Sequence, residues 1–442
     1  MRSDWRNAGW MAVGAVIFGG LAGSAEARQI PGVVMMKLKA NSTQSQQTEV
    51  LDTIKGMKAK VAMQYKLVPG LLSLALPKDR SVAGAIHALS RLSAVEYAEP
   101  SFAREPMIYG ARPVVRDGNT GYNPPAIPAP VTQPTTWVED PKESSNTGTY
   151  QNGSSEVRKK YGAIGSLNTV IAVIDTGVDY THPDIVANLW RGPGGQIGWD
   201  FFRHGDKPFD EYGHGTHVAG IAAGVGGNGQ GIAGVCPRCA IMDLKFIGPN
   251  GEGSDADAIA AMEYAVANKA NIINCSWGSP DVSSALEDAF KAVAKAGIFI
   301  AVAAGNDGDD LNLKRFYPAS YTLPGKVSVA ALYPTNIYIP FWSNFGWWDV
   351  QVSSAGVDTY SSLPGGQYGE MSGTSMASPA VAGSAGLVWS AKPSLKSTDI
   401  VQLFHKHIRP DADSMQKTNF GGRPDLPGVF KALGMKPLAA AN

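Results

Sequence analysis

The chain has 442 residues, which is too long for one small core and suggests two or three domains. Its 38 Lys and Arg residues balance its 38 Asp and Glu residues, so the formal net charge is zero. This balance excludes the polybasic surface typical of nucleic-acid binding, and we expect no nucleic-acid partner.

The first 27 residues have the pattern of a secretory signal peptide. Arg2 and Arg6 precede a mostly apolar run over 9–23, and an Ala-x-Ala ending predicts cleavage after Ala27. The alternative, an N-terminal membrane anchor, needs a longer apolar run. No other stretch approaches the roughly 20 apolar residues of a membrane helix, so we expect a secreted protein without a membrane partner.

Residues 30–103 predict a small α+β unit of ferredoxin-like type, because two strand-helix-strand runs follow each other. The predicted strands and helices are 33–38, 47–61 (helix), 71–76, 81–92 (helix) and 95–98. A Pro-rich stretch over 104–154 follows and predicts an exposed linker that proteases can nick.

The next part of the chain, over 155–435, alternates strands with helices, and residues 436–442 form a short tail. Strands are predicted at 169–174, 240–246, 271–275, 298–303 and 327–332, and helices at 214–223, 254–268, 283–295 and from residue 375 onwards. This alternation predicts a doubly wound parallel sheet with helices on both faces. In such α/β sheets the active site lies beyond the carboxyl ends of the strands.

Four polar residues stand at strand ends or helix starts that this rule brings together. Asp175 directly follows the predicted strand 169–174, and Asn306 comes after two small residues that follow the predicted strand 298–303. His214 and Ser375 begin predicted helices. A serine nucleophile needs a base and a carboxylate that orients the base. Asn306 could donate its amide to an oxyanion beside the backbone N–H of Ser375.

Each of these residues also has a simpler interpretation when taken alone. Asp175 could be a turn former, and His214 with His217 could be two metal ligands on one helix. A metal site on this helix would need a carboxylate at helical spacing, and none occurs over 218–224. We therefore expect His214 to be the base and His217 a structural neighbour.

Three segments carry a resemblance to the subtilisin-like serine proteases: Asp175-Thr176-Gly177, 214–220 and 373–379. The resemblance covers about residues 155–435. It implies that Asp175 is the orienting acid, His214 the general base and acid, Ser375 the nucleophile and Asn306 the oxyanion donor. Residues 30–103 resemble the inhibitor-type propeptide of the family, which assists folding and then blocks the active site with its C-terminal tail.

The same resemblance implies a substrate-binding strand and a calcium site. Ser276-Trp277-Gly278 resembles the strand that aligns the substrate backbone, and Trp277 would border the side-chain pockets, unless it is a half-buried aromatic at a sheet edge. Asp184 and the Gly-rich loop around Asn228 resemble a calcium site, although the loop is one residue longer than the usual pattern. The calcium would be structural, and the chemistry would need no cofactor.

The chain has three cysteines, too few for a typical zinc site. Cys236 and Cys239 could close a small disulfide in an oxidising compartment, and a redox motif is the alternative. Cys275 ends the predicted strand 271–275, where we expect a buried thiol.

Together these observations predict a secreted, monomeric serine endopeptidase that acts on polypeptides, is made as a self-processed precursor and is inhibited by its own propeptide. The rival is a catalytically dead, secreted binding scaffold of the same fold. Loss of Asp175, His214 or Ser375 would favour that rival, and all three are present. A serine esterase would show a Gly-x-Ser-x-Gly elbow and the chain order Ser, Asp, His, which this sequence lacks.

Overall fold

The structure is a computed structural model that describes residues 28–110, 123–142, 145, 148, 151–162, 164–335 and 338–438. The predicted signal peptide (1–27), parts of the predicted linker and the last four residues of the tail lie outside the described residues. Within the described part, no helix is both long and apolar enough to span a membrane.

The N-terminal unit is an antiparallel sheet in the order β4-β1-β3-β2 with two helices on one face. Its elements are β1 (Gln29–Leu38), α1 (Gln44–Gly56), β2 (Lys60–Gln64), β3 (Leu71–Ala75), α2 (Val82–Ser90) and β4 (Val95–Pro106). Each helix is preceded by an N-cap residue whose side chain accepts a backbone N–H, Thr43 for α1 and Ser81 for α2. This arrangement confirms the predicted α+β unit.

The sequence-based limits of the first helix are wrong at its C-terminal end. The helix ends at Gly56, Lys58 takes a left-handed φ of 55°, and the chain returns as the strand β2. Glycine is a poor helix former, and β2 is largely exposed, so no run of buried apolar residues marks it as a strand.

A seven-stranded sheet in the order β13-β12-β11-β9-β5-β7-β6 forms the centre of the rest of the chain. All its neighbouring strands are parallel. The strands are β5 (Val170–Asp175), β6 (Gly198–Asp200), β7 (Ala240–Lys245), β9 (Ile272–Cys275), β11 (Phe299–Ala303), β12 (Lys326–Leu332) and β13 (Val352–Ala355). The predicted doubly wound sheet is confirmed, and the short strands β6 and β13 are additional to the prediction.

Helices cover both faces of this sheet, because the side chains of its strands alternate between two cores. Ile171 and Val173 of β5 face one apolar cluster, whereas Ala172 and Ile174 face the other. The helices are α3 (Ser154–Tyr161), α4 (His214–Ala223), α5 (Asp255–Ala267), α6 (Ser284–Lys295), α7 (Thr374–Ala391), α8 (Ser397–Lys406), α9 (Ser414–Lys417) and α10 (Leu426–Ala432), and a 3₁₀ turn covers Val186–Asn188. Two antiparallel strand pairs lie outside the sheet, β14 (Thr359–Leu363) with β15 (Gln367–Met371) and β16 (Ile408–Pro410) with β17 (Gly422–Pro424).

Strand β4 connects the two units. Beyond the N-terminal sheet, it pairs antiparallel with β8 (Gly253–Ser254) on one side and with β10 (Trp277–Gly278) on the other. Residues 104–106, which the sequence assigned to the linker, therefore form a strand in a cleft of the C-terminal unit.

Acidic side chains from both units fix the N-terminal sheet on α5 and α6. Glu263 of α5 accepts the backbone N–H groups of Lys66 and Leu67 at 2.6 and 2.8 Å. Glu99 of β4 accepts that of Ala285 at 2.8 Å, in the first turn of α6. A carboxylate at a helix N-terminus satisfies free N–H groups and is stabilised by the helix dipole.

The cysteines behave as two separate groups. Cys236 and Cys239 form a disulfide, and Cys275 is a free, fully buried thiol at the end of β9. Burial raises the pKa of the Cys275 thiol well above its usual range, so this cysteine is inert in the core.

Candidate active site

Asp175 and His214 form a fully buried acid–histidine pair. Asp175 is the last residue of β5, and its Oδ1 lies 2.7 Å from Nδ1 of His214, the first residue of α4. The carboxylate accepts the Nδ1 proton, which leaves Nε2 as the basic nitrogen of the neutral ring. Within the described residues, His214 Nε2 has no hydrogen-bond partner, so it is available to a reacting group.

Asp210 holds the loop that carries this histidine, and the sequence reasoning missed it. Its Oδ1 accepts Thr176 Oγ1 at 2.9 Å and the Gly213 N–H at 2.8 Å, and its Oδ2 accepts both the N–H and the hydroxyl of Thr216 at 2.9 and 2.6 Å. One buried carboxylate thus joins the end of β5 to the first turn of α4. The capping position itself is Gly213, so no local capping signal in the sequence identifies Asp210.

His217 lies one turn further along α4 and bonds to a residue outside the pair. Its Nε2–H donates to the carbonyl of Gly369 at 3.1 Å. Burial lowers the pKa of His217 to about 3, so this ring stays neutral near neutral pH and serves as a structural neighbour.

Ser375 lies in the first turn of α7 and is fully buried. Its hydroxyl donates to the carbonyl of Ser276 at 2.7 Å. Pro379 lacks the N–H that would normally bond the Ser375 carbonyl inside the helix. The Ser276 hydroxyl donates to that carbonyl instead, at 2.9 Å, which explains how a helix with an internal proline is tolerated here.

Asn306 presents an unpaired amide beside Ser375. Its Oδ1 accepts the N–H and the hydroxyl of Thr374 at 3.0 and 2.9 Å, which fixes the orientation of the amide group. Among the described residues its buried Nδ2 has no acceptor. A buried donor without an acceptor is costly, and such a donor is suited to a charge that appears only during a reaction.

The segment after β4 places a peptide bond directly over Ser375. The N–H of Met107 donates to the Ser276 carbonyl at 3.0 Å, and the Met107 carbonyl accepts the Ser375 N–H at 3.3 Å. Beyond this point the Tyr109 N–H donates to Ser372 O at 2.7 Å. A Cβ on Gly373 would lie 2.2 Å from the Met107 carbonyl oxygen, so glycine is required for this close approach.

The predicted substrate-binding strand Ser276-Trp277-Gly278 lies at this cleft, but only its backbone faces the bound segment. The indole of Trp277 is fully buried, and its Nε1–H donates to the Ile174 carbonyl at 2.8 Å. Its ring packs on Phe246 with a centroid distance of 4.9 Å. The prediction that Trp277 borders the side-chain pockets is wrong, because β10 turns this side chain into the core.

These groups together suit acyl transfer at a carbonyl. The Met107 carbonyl accepts the Ser375 N–H, and the helix that carries Ser375 packs against the helix that begins at His214. A hydroxyl, an imidazole held by a carboxylate and an unpaired amide are thus brought together. The groove beside it has a volume of about 1190 Å³, and its lining includes Met107, Asn306 and Phe316. In this arrangement the Ser375 hydroxyl points to Ser276 and must turn before it can reach His214 Nε2.

Asp184 and Asn228 are in contact, as the calcium prediction requires, but their polar atoms bond each other. Asn228 Nδ2 donates to Asp184 Oδ1 at 2.9 Å, and Asp184 Oδ2 accepts the Ile232 N–H and the Tyr368 hydroxyl at 2.9 and 2.8 Å. The Gln230 N–H donates to Asn228 Oδ1 at 2.9 Å and so fixes the amide orientation. A cation needs these oxygens as ligands, so the residues in this arrangement do not fit calcium.

The predicted linker contributes to the same network. Asp140 accepts the backbone N–H groups of Gly227, Asn228 and Gly229 at 2.8, 3.1 and 3.0 Å, in the manner of an anion bound by a backbone nest. Burial raises the pKa of Asp184 to about 6, with a smaller contribution from the nearby Asp140. Across the described ranges, no group of three or more His, Cys, Asp or Glu side chains is placed to hold a metal ion.

Comparisons with known proteins match both units. Residues 166–422 match the Subtilase family, and residues 20–101 match the Fervidolysin N-terminal prodomain. The thermophilic serine proteinase of Bacillus sp. (strain AK1) is 42% identical over 226 residues, which are 51% of this chain and 53% of that protein. The subtilisin of Bacillus pumilus is 37% identical over 235 residues, 53% of this chain and 81% of that protein.

A solved structure is similar over almost the whole chain. It is fervidolysin from Fervidobacterium pennivorans, described as a keratinolytic enzyme related to subtilisin, with a TM-score of 0.70 and 25% identity. The match covers 92% of this chain and 62% of that one. This chain thus spans about half the length of the thermophilic serine proteinase and under two thirds of fervidolysin.

The Asp184 network generates a stability prediction. Tyr368→Phe removes one donor from the Asp184 carboxylate, and we expect the free energy of unfolding to fall by about 1 kcal/mol. Thermal unfolding of a Ser375→Ala background, with added calcium and with excess chelator, measures this change. We expect the melting temperature to be the same in both buffers; a melting temperature that depends on calcium and not on Tyr368 would contradict the hydrogen-bonded network.

Proposed function

Because the chain belongs to the subtilase family, we propose that it is a serine endopeptidase that hydrolyses peptide bonds in polypeptides. The observation that carries the proposal is the Met107 carbonyl, which accepts the Ser375 N–H at the start of α7, a helix that packs against the helix of His214. A peptide in this position has its carbonyl next to a nucleophile and next to donors for the oxyanion.

The proposed reaction is acyl transfer through Ser375. His214 Nε2 takes the hydroxyl proton, the Ser375 oxygen attacks the peptide carbonyl, and Asp175 stabilises the charged imidazole. The Ser375 N–H and Asn306 Nδ2 hold the oxyanion. His214 then gives its proton to the leaving amine, and water releases the acyl group with His214 again as the base. These side chains, the Ser375 N–H and water supply all the steps, so we infer no cofactor for the chemistry.

We further propose that the protein is made as a precursor that cleaves itself between Met107 and Ile108. The geometry that supports this proposal is the position of that peptide bond at Ser375. Cleavage at this bond leaves the pairing of β4 with β8 and β10 unchanged. It also leaves unchanged the contacts that Glu99 and Glu263 make between the two units. The released unit therefore retains the contacts of a competitive inhibitor.

Secretion is part of the same proposal. The pattern over residues 1–27 predicts export, and the disulfide of Cys236 and Cys239 suits an oxidising compartment. We propose that the processed enzyme acts as a monomer, with its own propeptide as inhibitor. Calcium at Asp184 and Asn228 would require Tyr368 and the Asn228 amide to turn away from their present partners.

Processing of the full chain tests this proposal. We expect the wild type to split into two fragments, the larger beginning at Ile108, and to digest an unfolded protein, whereas Ser375→Ala stays one chain and digests nothing. Intact mass and N-terminal sequencing measure the outcome. Identical processing of both proteins without digestion would support the catalytically dead scaffold, and cleavage at another bond would refute only the assignment of Met107.

Asp210 provides a second test, because it acts on the reaction only through the position of His214. In Asp210→Asn an amide N–H₂ replaces one acceptor, so the first turn of α4 loses a bond and the imidazole moves. We expect kcat to fall by about tenfold to a hundredfold with a smaller change in KM. Asp206→Asn, an exposed residue of the same loop, is the matched control. Equal kcat values for the two variants would contradict the positioning role.

A further inference from the structure

We propose that the cleft selects polypeptides with an arginine three residues before the residue whose carbonyl is attacked. Asp255 is the residue that binds this arginine. The inference rests on the proposed function and names a substrate class for the same site. Its observation is the pair formed by Arg104, three residues before Met107, and Asp255 at the start of α5.

The pair is fully buried and has the geometry of a specific contact. Arg104 Nε donates to Asp255 Oδ1 at 2.6 Å, and Nη2 donates to Oδ2 at 3.1 Å. Both side chains are 0% exposed. Nη1 donates to Ser279 Oγ at 2.6 Å and to the Asp281 carbonyl at 3.1 Å. Each guanidinium nitrogen therefore has an acceptor, which is the condition for burying an arginine.

The acceptors belong to the part of the chain that keeps Ser375. Asp255, Ser279 and Asp281 all follow the proposed cleavage site, whereas Arg104 precedes it and leaves with the propeptide. The pocket that Arg104 fills is therefore open to other polypeptides once the propeptide has gone. Glu252, a neighbour of β8 that also lines the groove, adds negative charge nearby.

The backbone pairing in the cleft does not itself select a side chain. Strand β4 is held by β8 and β10 through main-chain hydrogen bonds, which any extended polypeptide can make. Side chains alternate along a strand, so Arg104 enters the buried pocket while its neighbour Glu105 stays partly exposed and pairs with Arg28. Selection at this position must come from the pocket that contains Asp255.

The chemistry of the pocket favours arginine over both lysine and neutral residues. A planar guanidinium matches a carboxylate with two parallel hydrogen bonds, whereas an ammonium group cannot reproduce the fork. A neutral side chain would cover Asp255 without pairing its charge, and an unpaired buried charge is strongly unfavourable. The pocket therefore favours arginine chiefly because the other side chains bind less well to the buried Asp255 carboxylate.

The test uses the full chain after it has processed itself and the released propeptide has been removed. It compares three peptides that span residues 101–110. One peptide keeps arginine at position 104, the second has lysine there and the third has glutamine. We expect kcat/KM for the arginine peptide to exceed that for the glutamine peptide by at least about tenfold, with the lysine peptide between them. Equal rates for all three peptides would overturn the inference while leaving the peptidase activity established.

Variants of the enzyme show which residue is responsible. In Asp255→Asn we expect the ratio between the arginine and glutamine peptides to fall close to one, because the arginine peptide loses its charged partner and the glutamine peptide no longer leaves a buried charge unpaired. Asp307→Asn removes a carboxylate that lines the same groove without contacting Arg104, and it should keep the ratio. A ratio lost in Asp307→Asn and kept in Asp255→Asn would refute the assignment to Asp255.

The outcomes separate this inference from the function on which it rests. If no peptide and no unfolded protein is cleaved, the proposed peptidase function fails. If Asp255→Asn does not fold, Arg104→Gln in the precursor gives the same information. This variant leaves the pocket of the enzyme unchanged and removes only the arginine that fills it. We expect this precursor to process itself at least about tenfold more slowly than the wild type, and an unchanged rate would count against arginine selection.

Discussion

The antiparallel pairing of β4 with β8 and β10 is the interaction on which the cleft depends. Two short strands with free edges would otherwise present unpaired N–H and C=O groups. The inserted segment satisfies these groups and, in the same register, places the Met107 carbonyl at the Ser375 N–H. Because main-chain hydrogen bonds have fixed directions, the position of the peptide bond follows from the pairing rather than from the Met107 side chain.

The central residues of the site could be predicted from the sequence because strand ends and helix starts are visible in it, and because the topology of a parallel sheet brings them together. Asp175 ends β5, Ser276 follows β9, and Asn306 lies shortly after β11, and these three strands are neighbours in the sheet. The carboxyl ends of parallel strands meet at one edge, so residues that follow adjacent strands converge. The helix starts at His214 and Ser375 were marked by glycines and small residues, which the sequence shows directly.

The remainder depends on contacts between distant segments that no local pattern contains. The indole of Trp277 is directed by the register of β10 against the core, and a strand of two residues has too few positions to show an alternation. Asp140 becomes part of the loop at Gly227 only because the linker returns to it. The orientation of the Asn228 amide is set by Gln230, so a family pattern could place Asp184 and Asn228 together without revealing that they bond each other.

Arg104 and Asp255 connect inhibition with selectivity through one physical requirement. A propeptide tail that occupies the cleft must satisfy the same pockets as a substrate, so its side chains reflect what those pockets accept. The buried pair adds little net stability, because desolvating two charges cancels much of their attraction. Its effect is discrimination: any chain that lacks the matching charge leaves Asp255 buried and unpaired. The tail therefore blocks the cleft through its main-chain pairing, and it identifies through Arg104 the polypeptides that can later take its place.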